Sequence, residues 1–282
     1  MGSQQKNPRT FSFEFFPPRN EDGRAKLRET VEQLAQLKPK FFSVTFGAGG
    51  STREGTYETV KSIQDQGQQA APHISCIGTR RADILALLDS YRKLGIRHLV
   101  ALRGDLPKDA PRTGGDFHYA NELVSFIRAE TGDEYYIEVA AYPEFHPESP
   151  TPESDIRHFV NKVRAGADSA MTQYFFNVDA YWRFVEEANA LGVDVPIVPG
   201  IMPITNYKQL ARFSDTCGAE IPRWIRRRLE GFGDDLDSIR AFGLDVTTGL
   251  CDALLEGGAP GLHFYTLNRA GPTCTVWERL GI

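Results

Sequence analysis

Cysteine is scarce: Cys76, Cys217, Cys251 and Cys274 are the only four in 282 residues, and no two stand at Cys-x-x-Cys spacing. That argues against a disulfide-stapled scaffold and a cysteine zinc site, and it predicts reduced thiols in a cytosolic protein with no bound metal. No apolar run approaches the ~20 residues needed to cross a bilayer, and no apolar leader opens the chain, so a soluble, cytoplasmic protein without membrane partners is expected. A block of like charge is missing too. The net charge is -5, and Arg226-Arg227-Arg228 is too short and isolated to be a nucleic-acid footprint; it reads as a solvated helix face. No dinucleotide fingerprint follows the first apolar run, no lysine ends a candidate strand, and no serine sits in a nucleophile elbow. These absences weigh against a doubly wound nucleotide fold, a Schiff-base aldolase and a serine hydrolase.

What is present has the composition of an ordinary globular chain, 41% hydrophobic and 24% charged. Short apolar runs rich in aromatic and β-branched residues alternate with longer amphipathic segments throughout. Strands are expected at 10–16, 40–46, 71–77, 97–103, 135–141, 168–174, 195–201 and 261–266, with a helical pattern between each pair. The helix near 24–37 carries Leu27, Val31, Leu34 and Leu37 on one stripe, and the next helix after the third strand carries Ile84, Leu87, Leu88 and Tyr91. Eight such units predict an α/β fold, a single (β/α)8 TIM barrel, which takes about 250 residues. The expected layout is a disordered tail over 1–9, one catalytic domain over 10–282, and a helical insertion at 203–233 around the seventh strand.

In a barrel of this kind chemistry gathers where the strands end, so polar residues at those ends are the candidates. Glu14 stands out, in Phe11-Ser12-Phe13-Glu14-Phe15-Phe16-Pro17-Pro18. On a strand, Ser12, Glu14 and Phe16 share one face and the phenylalanines at 11, 13 and 15 the other. Aromatic neighbours favour the neutral carboxyl, the form that donates a proton; an exposed edge-strand acid is the competing reading. His73, Arg103, Asp105, Glu138, Tyr142, Gln173, His263 and Tyr265 stand at or near the other ends. Gly47-Ala48-Gly49-Gly50 can cradle a phosphate or make a plain tight turn, and Arg103 with Asp105 can face a cavity or form a structural ion pair. His73 reads as a hydrogen-bonding histidine, since no second ligand stands near it in sequence. An acid, an amide and several aromatics suit a flat heteroaromatic ligand and redox or one-carbon chemistry better than hydrolysis.

Several segments carry a family likeness: Phe13-Glu14-Phe15-Phe16-Pro17-Pro18, Leu102-Arg103-Gly104-Asp105, Ala140-Ala141-Tyr142-Pro143-Glu144-Phe145-His146-Pro147-Glu148, Thr172-Gln173-Tyr174-Phe175-Phe176 and Gly261-Leu262-His263-Phe264-Tyr265-Thr266-Leu267-Asn268. In this order, each at an expected strand end, they resemble methylenetetrahydrofolate reductase of the short bacterial type, from about residue 10 to the end of the chain. The resemblance implies a barrel holding FAD non-covalently, with NADH or NADPH as electron donor. The substrate is 5,10-methylenetetrahydrofolate and the product 5-methyltetrahydrofolate, in one-carbon metabolism feeding methionine synthesis. It also implies a homo-oligomer, dimer or tetramer. A pterin-dependent methyltransferase barrel without flavin is the alternative.

By motif, the resemblance makes Glu14 the general acid and Asp105 an acid near both flavin and pterin. Gln173, Gln209, Phe213 and Arg269, with Asp105, fall on folate-contacting positions. The FAD positions are Thr45, Phe46, Ala48, His73, Arg103, Gly104, Asp105, Ala120, Tyr142, His146, Asp155, His158, Asn161, Lys162 and Tyr265. His158 and Asn161 stand where relatives often carry Asn and Arg, which removes a bidentate phosphate fork and leaves Lys162 as the main cation of its segment.

Overall fold

In the computed structural model every expected strand is present, and all eight close in sequence order into a parallel barrel. The structure describes residues 2–46, 53–104 and 115–282. The chain runs α1 (Gly2–Gln5), β1 (Thr10–Phe15), α2 (Glu21–Ala35), β2 (Phe41–Val44), α3 (Arg53–Asp65), β3 (Ala70–Ser75), α4 (Arg81–Lys93), β4 (His98–Leu102), α5 (Ala120–Thr131) and β5 (Tyr136–Ala141). It continues α6 (Pro152–Arg164), β6 (Ser169–Tyr174), α7 (Val178–Ala190), β7 (Ile197–Ile201), α8 (Tyr207–Cys217), α9 (Arg223–Phe232), α10 (Leu236–Glu256), β8 (Gly261–Tyr265) and α11 (Gly271–Leu280). The insertion expected at 203–233 is the pair α8 and α9, which precedes the long α10.

Contacts group the chain into two compact units, Phe13–Ala140 with Asn161–Ala170, and Met1–Ser12 with Ala141–Val160 and Met171–Ile282. In the first, β2 pairs with β3 at Phe42 and Ala70, β3 with β4 at His73 and Val100, and β4 with β5 at Val100 and Glu138. Phe15 stacks on Phe42 with centroids 5.4 Å apart, and Phe13 packs on the same ring at 5.8 Å. Each ring fully buried in this way contributes about 2–3 kcal/mol of transfer free energy. Helices close the outside. Asn20 caps α2 by accepting from the Gly23 N–H, and Leu27, Val31 and Leu34 form its buried stripe. Leu37 lies beyond the end of α2 and is half-buried, while Ile84, Leu88 and Tyr91 are the buried face of α4.

In the second unit β7 pairs with β8 at Gly200 and His263. Its core is Tyr174, Phe176, Ile204, Leu210, Ile221, Ile225, Leu229 and Ile239, which buries one side of α8 and α9. The arginine triplet lies on α9, with Arg227 and Arg228 exposed opposite buried Ile225 and Leu229. Residues 2–9, expected within a disordered tail, differ from that expectation. The Gln4 side chain is 1% exposed, and its Oε1 accepts from the Ile197 N–H at 2.9 Å. An amide side chain that satisfies a buried backbone donor has reason to dock, whatever its sequence neighbours.

Candidate active site

Glu14 is the fifth residue of β1, and the alternation expected there holds: Phe13 and Phe15 are buried against Phe42, whereas Glu14 retains 17% side-chain exposure. Its Oε2 lies 3.4 Å from His73 Nε2 on β3, an imidazole only 6% exposed. This sheltered carboxyl thus has a polar neighbour on β3, the next strand but one in the barrel order and part of the same unit. Thr45 and Phe46 follow β2. Thr45 uses its backbone fully, donating to Phe15 O at 2.9 Å and accepting from Thr56 Oγ1 at 2.9 Å, yet its own buried Oγ1 has no hydrogen-bond partner among the described residues. The Arg53 guanidinium lies 5.8 Å from the centroid of the Phe46 ring.

At the end of β4 the backbone is tightly held. The Arg103 carbonyl accepts from Ser75 Oγ at 2.9 Å and from the Ile77 N–H at 2.9 Å, and Arg103 Nε donates to the Gly104 carbonyl at 3.2 Å. Gly104 has φ +86, and a Cβ there would stand 1.8 Å from Ser75 Oγ, so only glycine fits. Ala120 opens α5, preceded by Tyr119, which is 52% exposed. Lys162 on α6 reaches back to the Ala140 carbonyl at 2.5 Å, placing its ammonium at the end of β5, whereas Asn161 beside it is exposed. Ala48, Asp105 and the 47–50 turn lie outside the described residues.

The second unit holds the other expected positions. Tyr142 and His146 meet edge to face at 4.7 Å, and Asp155 fastens the loop by accepting from the His146 N–H at 3.2 Å and from Ser149 Oγ at 2.8 Å. Between them Phe145 has φ +98 and is 44% exposed, a strained conformation for an aromatic residue. His158 is exposed on α6. Gln173 on β6 turns its Oε1 onto the Tyr174 N–H at 3.0 Å. The Tyr265 hydroxyl donates to the Thr172 carbonyl at 2.7 Å, so its ring edge rather than its hydroxyl is left for a ligand. Gln209 and Phe213 lie one turn apart on α8, where Asn206 caps the helix, and Phe213 packs on the cluster of Tyr174, Ile204 and Leu210. Arg269 is exposed after β8, on a turn in which Leu267 and Asn268 take φ of +50 and +58.

Two expected strand-end residues serve the barrel interior. His263 is fully buried and its Nδ1 lies 2.7 Å from Ser12 Oγ. Glu138 is 3% exposed near the middle of β5, accepting from Ser169 Oγ at 2.9 Å with His98 Nε2 at 3.5 Å. Sequence reading also missed Glu144. Its Oε2 accepts from the Glu220 N–H at 2.8 Å, its buried Oε1 has no hydrogen-bond partner among the described residues, and burial holds its pKa above the ordinary carboxyl range. The acidic residue inside the Pro143-Glu144-Phe145 loop was the available signal. Burial pushes the Cys76 thiol up to about 12, and all four cysteines are free thiols. No helix among the described residues is long and apolar enough to cross a membrane.

A family model described as methylenetetrahydrofolate reductase matches residues 2–281. The chain belongs to that family. It is 41% identical over 272 residues to the 5,10-methylenetetrahydrofolate reductase of Pectobacterium carotovorum subsp. carotovorum, covering 96% of this chain and 90% of the relative. The Escherichia coli (strain K12) protein of the same name is 40% identical with the same coverage. A relative from Arabidopsis thaliana named methylenetetrahydrofolate reductase (NADH) 1 is 38% identical across 96% of this chain but only 48% of its own length. Family membership makes the chain an oxidoreductase. Among solved structures, an uncharacterised protein from Clostridium thermocellum, described as binding two copies of 5-methyl-5,6,7,8-tetrahydrofolic acid, covers 98% of this chain and 95% of its own, with a TM-score of 0.65 and 15% identity. At that identity the likeness speaks to the fold alone.

Proposed function

We propose that this enzyme reduces 5,10-methylenetetrahydrofolate to 5-methyltetrahydrofolate with NADH or NADPH, in two half-reactions through non-covalently bound FAD. The single observation that carries the reading is the sheltered Glu14 carboxyl, oriented by His73 at 3.4 Å, in a chain of this family. The residues fit a flavin cofactor on their own terms. Thr45 offers a buried hydroxyl with no hydrogen-bond partner among the described residues, and Arg103 and Lys162 supply cations at the ends of β4 and β5. Tyr142, His146 and Asp155 form a fastened aromatic loop, with Phe46, Ala48, His73, Ala120, His158, Asn161 and Tyr265 as the remaining FAD positions. FAD, when bound, supplies two-electron transfer between nicotinamide and folate.

Everything else falls to the chain. The methylene carbon of the folate accepts hydride poorly until one C–N bond of the imidazolidine ring opens, so protonation precedes reduction. Glu14 in its neutral form donates that proton to the departing nitrogen, and the partnership with His73 fixes where the acid oxygen points. General-acid help of this kind is worth ~10²–10⁴-fold in rate. Asp105 supplies a negative charge that stabilises the cationic iminium so formed. Gln173 and Phe213 contact nicotinamide and folate by turns, with Gln209 and Arg269 on the folate, which makes the kinetics ping-pong. A cytoplasmic homo-oligomer acting in one-carbon metabolism, upstream of methionine synthesis, completes the proposal. The name of the Arabidopsis relative, methylenetetrahydrofolate reductase (NADH) 1, supports NADH as the first donor to try.

The test is a pair of anaerobic stopped-flow measurements on Glu14→Gln. Bleaching of the flavin by NADH should proceed at the wild-type rate, while reoxidation by methylenetetrahydrofolate should fall at least a hundredfold. Equal loss in both halves would refute the assignment, and a purified protein that takes up no flavin would refute the cofactor.

A further inference from the structure

Tyr174 closes β6 directly after Gln173, and its two polar groups each hold one part of the proposed substrate site. Its N–H donates to Gln173 Oε1 at 3.0 Å. Its hydroxyl lies 3.0 Å from Ser214 Oγ on α8, next in the chain to Phe213. Tyr174 is 2% exposed and Ser214 4%, so solvent cannot compete for the bond between them. A hydroxyl left single at such burial is costly, which keeps the two together. Cys217 Sγ donates to the Tyr174 oxygen at 3.5 Å, leaving the phenol proton for Ser214, and burial pushes the Tyr174 pKa up so that this proton is retained. The ring is braced as well, edge-on to Phe176 at 5.9 Å and to Tyr265 at 6.4 Å.

The helix that carries Phe213 needs such a tie. Leu210 and Ser214, four apart on one stripe, are the buried residues of α8, while Phe213 and Gln209 are half-buried. A stripe this thin sets how deep the helix sits but resists rotation about its axis poorly. Adjacent residues on a helix point about 100° apart, so a directed bond at Ser214 fixes the direction in which Phe213 leaves α8. We infer that Tyr174 is a positioning residue: through its hydroxyl bond to Ser214 it turns α8 so that Phe213 lies against whichever substrate is bound. The inference rests on the reductase reading above and adds to it a residue that acts from within the core, through another side chain.

Tyr174→Phe removes the hydroxyl but keeps the ring and the N–H that holds Gln173, so it breaks the α8 tie alone. The experiment follows the anaerobic half-reactions of holoenzyme, with flavin bleaching at varied NADH and reoxidation at varied methylenetetrahydrofolate giving an apparent Kd for each. Tyr174→Phe should raise both Kd values about fivefold, the worth of one buried hydrogen bond. Ser214→Ala breaks the same bond from the other side and should match it, with the double variant no worse than either; each single variant by itself suffices for the comparison. In a Phe213→Ala background, Tyr174→Phe or Ser214→Ala should add nothing, since the bond then has no aromatic to direct. A loss of undiminished size in that background would mark a general support of the fold and overturn the inference. Wild-type Kd values in both single variants, or a change confined to one substrate, would overturn it too. A wild-type holoenzyme whose flavin NADH does not bleach would instead overturn the reductase reading, and this inference with it.

Discussion

Gly104→Ala is the perturbation whose cost can be built up atom by atom. The new methyl would stand 1.8 Å from Ser75 Oγ, so Ser75 must rotate and give up its 2.9 Å bond to the Arg103 carbonyl, at about 1 kcal/mol. Alanine at φ +86 adds roughly 1–2 kcal/mol of backbone strain. After Ser75 rotates, its Cβ at 3.0 Å and Ile77 Cγ2 at 3.2 Å still crowd the methyl. The sum is about 2–4 kcal/mol, which for a chain of this size lowers Tm by roughly 5–10 °C. The assay is thermal unfolding of apo-protein for wild type, Gly104→Ala, Ser75→Ala and the double variant. Because both single changes lose the same hydrogen bond, the double variant should fall short of their sum by about 1 kcal/mol. A Gly104→Ala protein as stable as wild type, or a strictly additive cycle, would refute the reasoning.

Thr45→Val removes a buried hydroxyl with no hydrogen-bond partner among the described residues, so apo-protein Tm should hold or rise while FAD affinity, read by fluorescence titration, weakens about tenfold. Lost apo stability with unchanged FAD binding would count against Thr45 as a cofactor contact. Glu144→Gln should flatten the pH dependence of stability. Burial raises the wild-type pKa, so the stability linked to this proton is fully present below the ordinary value of 4.5 and is lost as pH rises through the raised one. The variant should therefore melt higher than wild type at pH 7–8 and converge with it in acid, with a pH-independent difference as the contrary result. Asp105→Asn should raise the flavin midpoint potential and slow folate reduction; spectroelectrochemistry giving the wild-type potential would remove Asp105 from the flavin's surroundings.

Strand positions were legible because each strand here is an apolar run bounded by turn residues. Their ends were less so: the run at 40–46 pairs only over Phe41–Val44, since Thr45 already turns its backbone toward Phe15 and Thr56. The polarity of β1 was legible as well, because a period of two puts Glu14 opposite the phenylalanines whatever lies around it. Local pattern could not say which polar residues end in the mouth and which are consumed inside. Glu138 looked like a strand-end acid until Ser169 accounted for it, and His263 until Ser12 did.

By itself, then, the sequence determined the alternation of elements, the side of β1 that carries an acid, and the motifs that mark the family. Those are properties of neighbours along the chain, where spacing and residue type act directly. Only the tertiary structure decided that Glu14 meets His73, that Gly104 has no room beside Ser75, and that Tyr174 meets Ser214. Such meetings join residues tens of positions apart, and they exist only after strand pairing and helix packing have fixed the distances between them.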